Sequence, residues 1–193
     1  MSTEPEDEGL TPGARRILEV ASELFYRRGF HAVGVDTIAA ESGVTKRTLY
    51  DRFRSKDALV AAYLSARDRQ WRDVVLSRLD DAGADRVARV LAPFDALPEW
   101  LDAGGRGCAF INAYAEFPDP DHPAHQLVVA EKSWLRDLFH ALVVEVGAID
   151  PGTLGEQLLC LHEGAIVSHA ILGQTSSAST ARSAAEILVC RAL

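Results

Sequence analysis

The stretch GVTKRTLYDRF, residues 43–53, sets Lys46, Arg47 and Arg52 among Thr45, Thr48, Leu49, Tyr50 and Phe53, in a chain of 193 residues whose formal charge is -8. Thr45 is an N-cap type residue, with a short hydroxyl side chain able to accept a backbone N–H of the first helical turn. Leu49 and Phe53 lie one turn apart, so they share a face that packs inward with Val44, and Lys46, Arg47 and Tyr50 fall on the other side. Immediately before it, GVDTIAAESG (34–43) predicts a short helix with Gly34 as N-cap, Val35, Ile38 and Ala39 on one side, Asp36 and Thr37 near its start, and Gly43 as terminator. The order is helix, tight glycine turn, helix.

Working outward, TPGARRILEVASELFYRRG predicts a helix capped by Thr11, with Pro12 at its first position, Ile17, Ala21, Leu24 and Phe25 on one face, and Gly29 at its end. SKDALVAAYLSARDRQWRDVVLSRLDDAG predicts a long fourth helix, opened by Ser55, carrying Leu59, Tyr63, Ala66, Val74 and Leu79, and closed by Gly83. Helical patterns then run over Asp85 to Leu101, interrupted at Pro93 and Pro98, over Gly107–Phe117, Pro123–Val146, Thr153–Gln174 and Thr180–Leu193. No useful length alternates with a period of two, so no sheet is expected. The chain reads as all-α, with about nine helices.

The charge is unevenly spread. Residues 11–56 carry nine Lys and Arg against five acids, whereas residues 57–193 carry eleven against nineteen. A basic segment on an acidic body is the footprint of a module that faces phosphate. The first ten residues, MSTEPEDEGL, are acidic with no basic n-region or apolar h-region, and are expected to form a disordered tail rather than a signal peptide. Cys108, Cys160 and Cys190 are odd in number, far apart and without C-x-x-C spacing, which argues against a disulfide framework or zinc finger and for a reducing, cytoplasmic setting. The longest uncharged run, Gly164 to Ala181, is too polar to span a membrane.

A helix-turn-helix reads DNA because an apolar seam locks two helices so that the second projects polar side chains into the major groove. Residues 34–53 meet that demand. Arg47 can pair with guanine O6 and N7 together, Thr48 or Tyr50 can reach a thymine methyl or a backbone oxygen, and the free N–H groups of the turn at Thr45 can take a phosphate. Thr37, Arg52 and Lys56 are placed for backbone anchoring. A basic amphipathic helix is also often only a solvated face, so this pattern alone leaves both readings open.

The combination of SELFYRRGF, DTIAAESGV, TLYDRF and SKDALV, in that order over about residues 12–64, resembles the N-terminal DNA-binding domain of the TetR family of bacterial transcriptional regulators. The resemblance implies that Thr45, Lys46, Arg47 and Tyr50 face DNA on the third helix, that Thr37 and Lys56 touch phosphate, and that Leu49 and Phe53 are core. Family members usually carry Thr or Ser where this chain has Gly34, and Asp51 departs from the neutral or basic residue common there. It also implies three segments: the tail at 1–10, a helix-turn-helix domain at 11–57, and a helical ligand-binding and dimerisation domain at 58–193. Such proteins are homodimers on palindromic double-stranded DNA, most often repressors released by a small molecule.

Within the larger part, RGCAFINAYAEF offers Cys108, Phe110, Ile111, Asn112, Tyr114 and Glu116 as effector-lining candidates, with His162 as a polar partner; ordinary core packing explains each of them as well. Cys108, near a helix start, is the best-placed thiol for reactivity. Leu158, Leu161 and Ala165, with Ala181, Ala184, Ala185 and Leu188, are the candidates for the dimer interface, although a core helix hairpin has the same pattern. Asp119, Asp121, His122 and His125 match no standard metal spacing, and no metal or cofactor is expected. The chain has no G-x-S-x-G, P-loop, H-E-x-x-H or dinucleotide fingerprint, so it is not read as an enzyme and no catalytic residue is assigned.

Overall fold

The computed structural model describes residues 10–101 and 106–193, and of the expected tail at 1–10 all but Leu10 lies outside them. Among the described residues the regular structure is all helix: α1 Pro12–Arg28, α2 Val35–Ser42, α3 Lys46–Phe53, α4 Lys56–Asp81, α5 Arg86–Leu101, α6 Ala109–Glu116, α7 Pro123–Val146, α8 Pro151–Leu172 and α9 Ser177–Ala192. The all-α reading holds, with these nine helices among the described residues. No helix there is long and apolar enough to cross a membrane.

The chain divides into two compact units. The first comprises the chain up to Arg67 together with Ala109–Val128, and the second comprises Asp68–Cys108 and Val129–Leu193. A division at 57/58 follows sequence order, whereas compactness carries the first unit ten residues past 57, to Arg67 of α4, and adds all of α6.

In the first unit, Thr11 accepts the Ala14 N–H at 3.3 Å and Pro12 stands where a missing donor has no cost. The buried face of α1, including Ile17, Ala21, Leu24 and Phe25, packs on α2 and α3. Phe25, Phe30 and Tyr63 form an aromatic triangle with centroids 5.4–6.0 Å apart, and Phe117 of the α6 end meets Phe30 edge-on at 5.4 Å. These tilted and edge-on arrangements suit the ring quadrupoles.

In the second unit, α8 and α9 form an antiparallel pair packed on α5. Leu91, Phe94 and Leu97 of α5 join Leu135 and Phe139 of α7, Leu158 of α8, and Ala185 and Val189 of α9 in one core. Gly155 of α8 faces α7, and a Cβ there would stand 3.5 Å from the His140 backbone, an ordinary contact distance.

Several helix limits differ from the sequence reading by two or three residues, α9 opening at Ser177 rather than Thr180 among them, and two differences have a visible cause. Pro93 and Pro98 do not interrupt α5, which runs unbroken through both. Each proline removes one N–H donor, and the burial of Val90, Leu91, Phe94, Ala96 and Leu97 holds the helix together despite that loss. Helix α8 starts at Pro151, not Thr153, because Asp150 Oδ1 accepts the Thr153 N–H at 3.1 Å as N-cap and Pro151 follows at N1. This repeats the Thr11–Pro12 signal that opens α1.

Candidate nucleic-acid interface

Three short connections set the geometry of α2 and α3. Gly43 adopts φ 70°, ψ 25°, a left-handed conformation that costs glycine little. There the Gly43 N–H reaches the Ala40 carbonyl at 3.2 Å and the Val44 N–H reaches the Ala39 carbonyl at 3.0 Å, closing α2 and reversing the chain. Only Val44 and Thr45 then separate the turn from α3. Thr45 Oγ1 accepts the Thr48 N–H at 3.1 Å and lies 2.9 Å from the Thr48 hydroxyl. The Lys46 and Arg47 N–H groups, in the first turn, have no carbonyl four residues back within the helix and are available to an anion.

The inward face of α3 is secured by Leu49, with no exposed surface, and Phe53, buried like it. The outward face carries Lys46, Arg47 and Tyr50 together. Arg47 is 91% exposed at its side chain, with Asp51 Oδ2 at a loose 3.9 Å, and Tyr50 is 40% exposed. Lys46 is different: its Nζ lies 2.9 and 3.1 Å from the two carboxylate oxygens of Asp36 on α2. The hydrogen bond and charge of Asp36 raise the Lys46 pKa, keeping it cationic and braced across the turn. Arg52 is exposed, and Thr37, Thr48 and Lys56 are half-buried. Lys56 opens α4, where Ser55 Oγ accepts the Ala58 N–H at 3.0 Å.

Gly34 caps α2 without a side-chain hydrogen bond, at φ -83°, ψ 155°. A Cβ at this position would meet nothing within 4 Å, so space does not demand glycine here. Arg54 is a feature the sequence reading missed. It closes α3 at φ 64°, ψ -42°, the one non-glycine residue with positive φ among the described residues. Two residues, Arg54 and Ser55, must turn the chain from α3 into α4, and Arg54 N–H is held by the Tyr50 carbonyl at 2.8 Å. No composition signal announces such a conformation at arginine.

The effector candidates are divided between the two units. On α6, Phe110 turns inward, while Ile111 and Tyr114 are exposed. Glu116 is committed elsewhere, accepting the backbone N–H groups of Phe30 at 3.0 Å and His31 at 2.6 Å and pairing with the His31 ring at 2.9 Å. Asn112 is half-buried, and so is Cys108, which belongs to the second unit. In that unit Lys132 Nζ lies 3.7 Å from Cys108 Sγ, 2.8 Å from Glu163 and 3.2 Å from Glu131. Glu163 is therefore paired. Burial of Lys132 works against its charge, but the Cys108, Glu131 and Glu163 charges outweigh it and raise its pKa. Glu131, the more enclosed acid, has its own pKa raised by burial, only partly offset by Lys132. His162 lies at the centre of the second unit with no exposed surface.

The dimer candidates divide. Leu158, Ala165, Ala181 and Ala185 are buried inside the unit between α8, α9 and their neighbours, and have little or no surface to offer a second chain. Within the single chain this apolar seam forms the hairpin's own core. Leu161, Ala184 and Leu188 keep partial exposure. The exposed apolar side chains nearby are Val167, Ile171 and Leu172 of α8 and Ile187 of α9. Among the described residues no group of three or more His, Cys, Asp or Glu side chains is placed to hold a metal ion.

A glycine-turned helix pair with a buried seam and an exposed donor set on its second helix is a helix-turn-helix DNA-binding unit. The description "Bacterial regulatory proteins, tetR family" matches residues 17–63. Over nearly its whole length the chain is similar to the TetR-family transcriptional regulator SCO4454 of Streptomyces coelicolor, with 34% identity, a TM-score of 0.87, and coverage of 93% of this chain and 95% of that one. It is 28% identical over 164 residues to the HTH-type transcriptional repressor DhaR of Mycobacterium sp. (strain GP1), covering 81% of this chain and 82% of that protein. It is also 49% identical over 108 residues to the HTH-type transcriptional activator FasR of Mycolicibacterium smegmatis, covering 53% of this chain and 48% of that protein. The chain belongs to the TetR family of bacterial transcriptional regulators, and it is a DNA-binding regulator rather than an enzyme.

Proposed function

We propose that this protein is a cytoplasmic, homodimeric repressor that binds a palindromic operator through α3 and releases it when a small molecule binds the second unit. The observation that carries the DNA part is the outward face of α3: Arg47 and Tyr50 stand exposed beside a Lys46 braced by Asp36, on a helix anchored by Leu49 and Phe53. Thr45, Lys46, Arg47, Thr48 and Tyr50 then meet the major groove, and Thr37, Arg52 and Lys56 meet phosphates.

One such head makes few base contacts, so two are required, with half-sites about 34–36 Å apart or a multiple of that. Leu161, Ala184 and Leu188, with the exposed Val167, Ile171, Leu172 and Ile187, supply an apolar surface for the second copy. The likeness to DhaR supports repression. An effector must bind the DNA-competent and the released states unequally to shift between them.

The test is selection of genomic fragments on the purified protein, followed by operator binding across a metabolite panel. A single palindromic site whose binding is lost with one ligand class supports the reading. Binding without sequence preference overturns the operator assignment, and a preference indifferent to every ligand overturns the ligand-responsive part.

A further inference from the structure

The reading helix carries an acid as well as its cations. At about 100° per residue, Asp51 lies directly opposite the mean direction of Leu49 and Phe53, the two buried side chains of α3. Arg47, one turn earlier, falls about 40° from Asp51 on the same side. These are the two side chains of α3 that point most directly away from its buried face, and both are well exposed, Asp51 to 68%.

The other acids between residues 11 and 56 are held more closely than Asp51 is. Glu19 lies 3.6 Å from Arg16, Glu23 3.4 Å from Arg27, Asp36 2.9 Å from Lys46 and Glu41 3.5 Å from Arg28. Among the described residues Asp51 has the 3.9 Å approach of the Arg47 guanidinium and no closer ion pair. A carboxylate on a surface that approaches DNA is repelled by the phosphates of every duplex. It weakens binding to all of them except where a base edge donates a hydrogen bond to it.

We propose that Asp51 is a specificity-determining residue of α3, accepting the N4 amine of a cytosine in the major groove, close to the guanine that Arg47 contacts. This rests on the operator reading above and names a second base within it. An ionised carboxylate can only accept. Guanine presents N7 and O6 and thymine presents O4, all acceptors that repel it, and adenine sets its N7 acceptor beside the N6 donor. Cytosine presents a donor alone. Four residues advance an α-helix by about 6 Å, and base pairs follow one another at about 3.4 Å, so the two bases lie at most about two steps apart. The loose contact between the side chains leaves each able to turn to its own base pair.

The test is selection from a pool of randomised duplexes with the full-length wild type, Asp51→Ala, Asp51→Asn and Arg47→Ala, followed by anisotropy on the selected duplex and its single-base variants. Asp51→Ala should lose about tenfold of the preference for cytosine at one position, the worth of one charge-assisted hydrogen bond. It should also bind a shuffled duplex several-fold more tightly at low salt, because a repelling charge is gone. Asp51→Asn, whose amide both donates and accepts, should turn that position from cytosine to adenine. The position should differ from the one at which Arg47→Ala loses its preference.

A selected sequence that both Asp51 variants leave unchanged overturns the proposal, as does one without a cytosine near the guanine read by Arg47. If Asp51→Ala and Arg47→Ala disturb the same base pair and no other, the carboxylate only positions the guanidinium, and the proposal is again overturned. Each of these results leaves the operator reading standing. A wild type that selects no sequence at all overturns that reading and this proposal together.

Discussion

Glu116 of α6 accepts the backbone N–H groups of two successive residues, Phe30 at 3.0 Å and His31 at 2.6 Å, and its Oε2 also lies 2.9 Å from the His31 ring. Gly29 has just ended α1, so these donors fall outside any helix and need an acceptor. One carboxylate serves both, and the connection between α1 and α2 is fixed from α6. Burial pushes the Glu116 carboxyl up, but the N–H groups of His31 and Phe30 together with the His31 ring outweigh it and hold its pKa below the usual carboxylate range.

Glu116→Ala should therefore destabilise the protein by about 1 kcal/mol, because a part-buried and an exposed N–H group lose their acceptor to water. Urea unfolding at pH 7 measures this. The carboxyl pKa is lower folded than unfolded, so its contribution is complete above the unfolded value, about 4.3, and is lost as pH falls through the folded one. The gap between wild type and variant should accordingly narrow only below about pH 4.

Asp36 holds Lys46 and also places a negative charge beside the face offered to phosphate. Asp36→Ala should tighten operator binding several-fold at low salt and steepen the dependence of log K on log salt by about one unit, by freeing one cation for a phosphate. Fluorescence anisotropy with labelled operator over a salt series reads both. Unchanged affinity and slope would mean that Lys46 stays clear of the DNA.

Arg54 is held at φ 64°, where side chains other than glycine are strained. Arg54→Gly should relieve about 1 kcal/mol of backbone strain, less what glycine gains in freedom when unfolded, so stability should stay level or rise slightly. Arg54→Val, β-branched at the same place, should lower it by about 1–2 kcal/mol. Thermal unfolding of the pair separates backbone strain from loss of the guanidinium, because both variants lose the charge.

His162 carries a pH signature. Its pKa is about 3 when folded against an ordinary 6.5, so between those values the unfolded chain takes up the proton first. The ring's contribution is full above pH 6.5 and falls by about 1.4 kcal/mol per pH unit on the way down to about 3. Relative to His162→Phe, the wild type should lose stability at that rate between pH 6.5 and 5, as read by urea unfolding. Parallel pH profiles would show that the ring titrates normally.

The sequence disclosed what is decided within a few residues. Thr11 with Pro12, Gly43 with Thr45, and the spacing of Leu49 and Phe53 each act through neighbours in the chain, and the helices they delimit occur as read. Asp150 with Pro151 carries the same local signal at the start of α8. The unbroken α5 was hidden because its prolines are a local warning, and the burial that overrides them depends on α8 and α9. The acceptor role of Glu116 has no local signature, because its partners lie 85 and 86 positions away. The small-residue seam of α8 and α9 was equally ambiguous: periodicity reports that a face is buried, but not whether its cover is the same chain or another. Glu131 was overlooked, since nothing in VVAEKSW distinguishes an enclosed acid from an exposed one.

The central claim is that α3 reads bases through Arg47 while Lys56 only anchors. The measurement is the anisotropy of binding to a selected operator and to a shuffled duplex, for wild type, Arg47→Ala and Lys56→Ala, over a range of salt. Arg47→Ala should weaken operator binding by about 1–3 kcal/mol and erase preference at one base position, while Lys56→Ala weakens both duplexes alike and flattens the salt slope by about one unit. An Arg47→Ala protein that keeps wild-type affinity and preference would contradict the account.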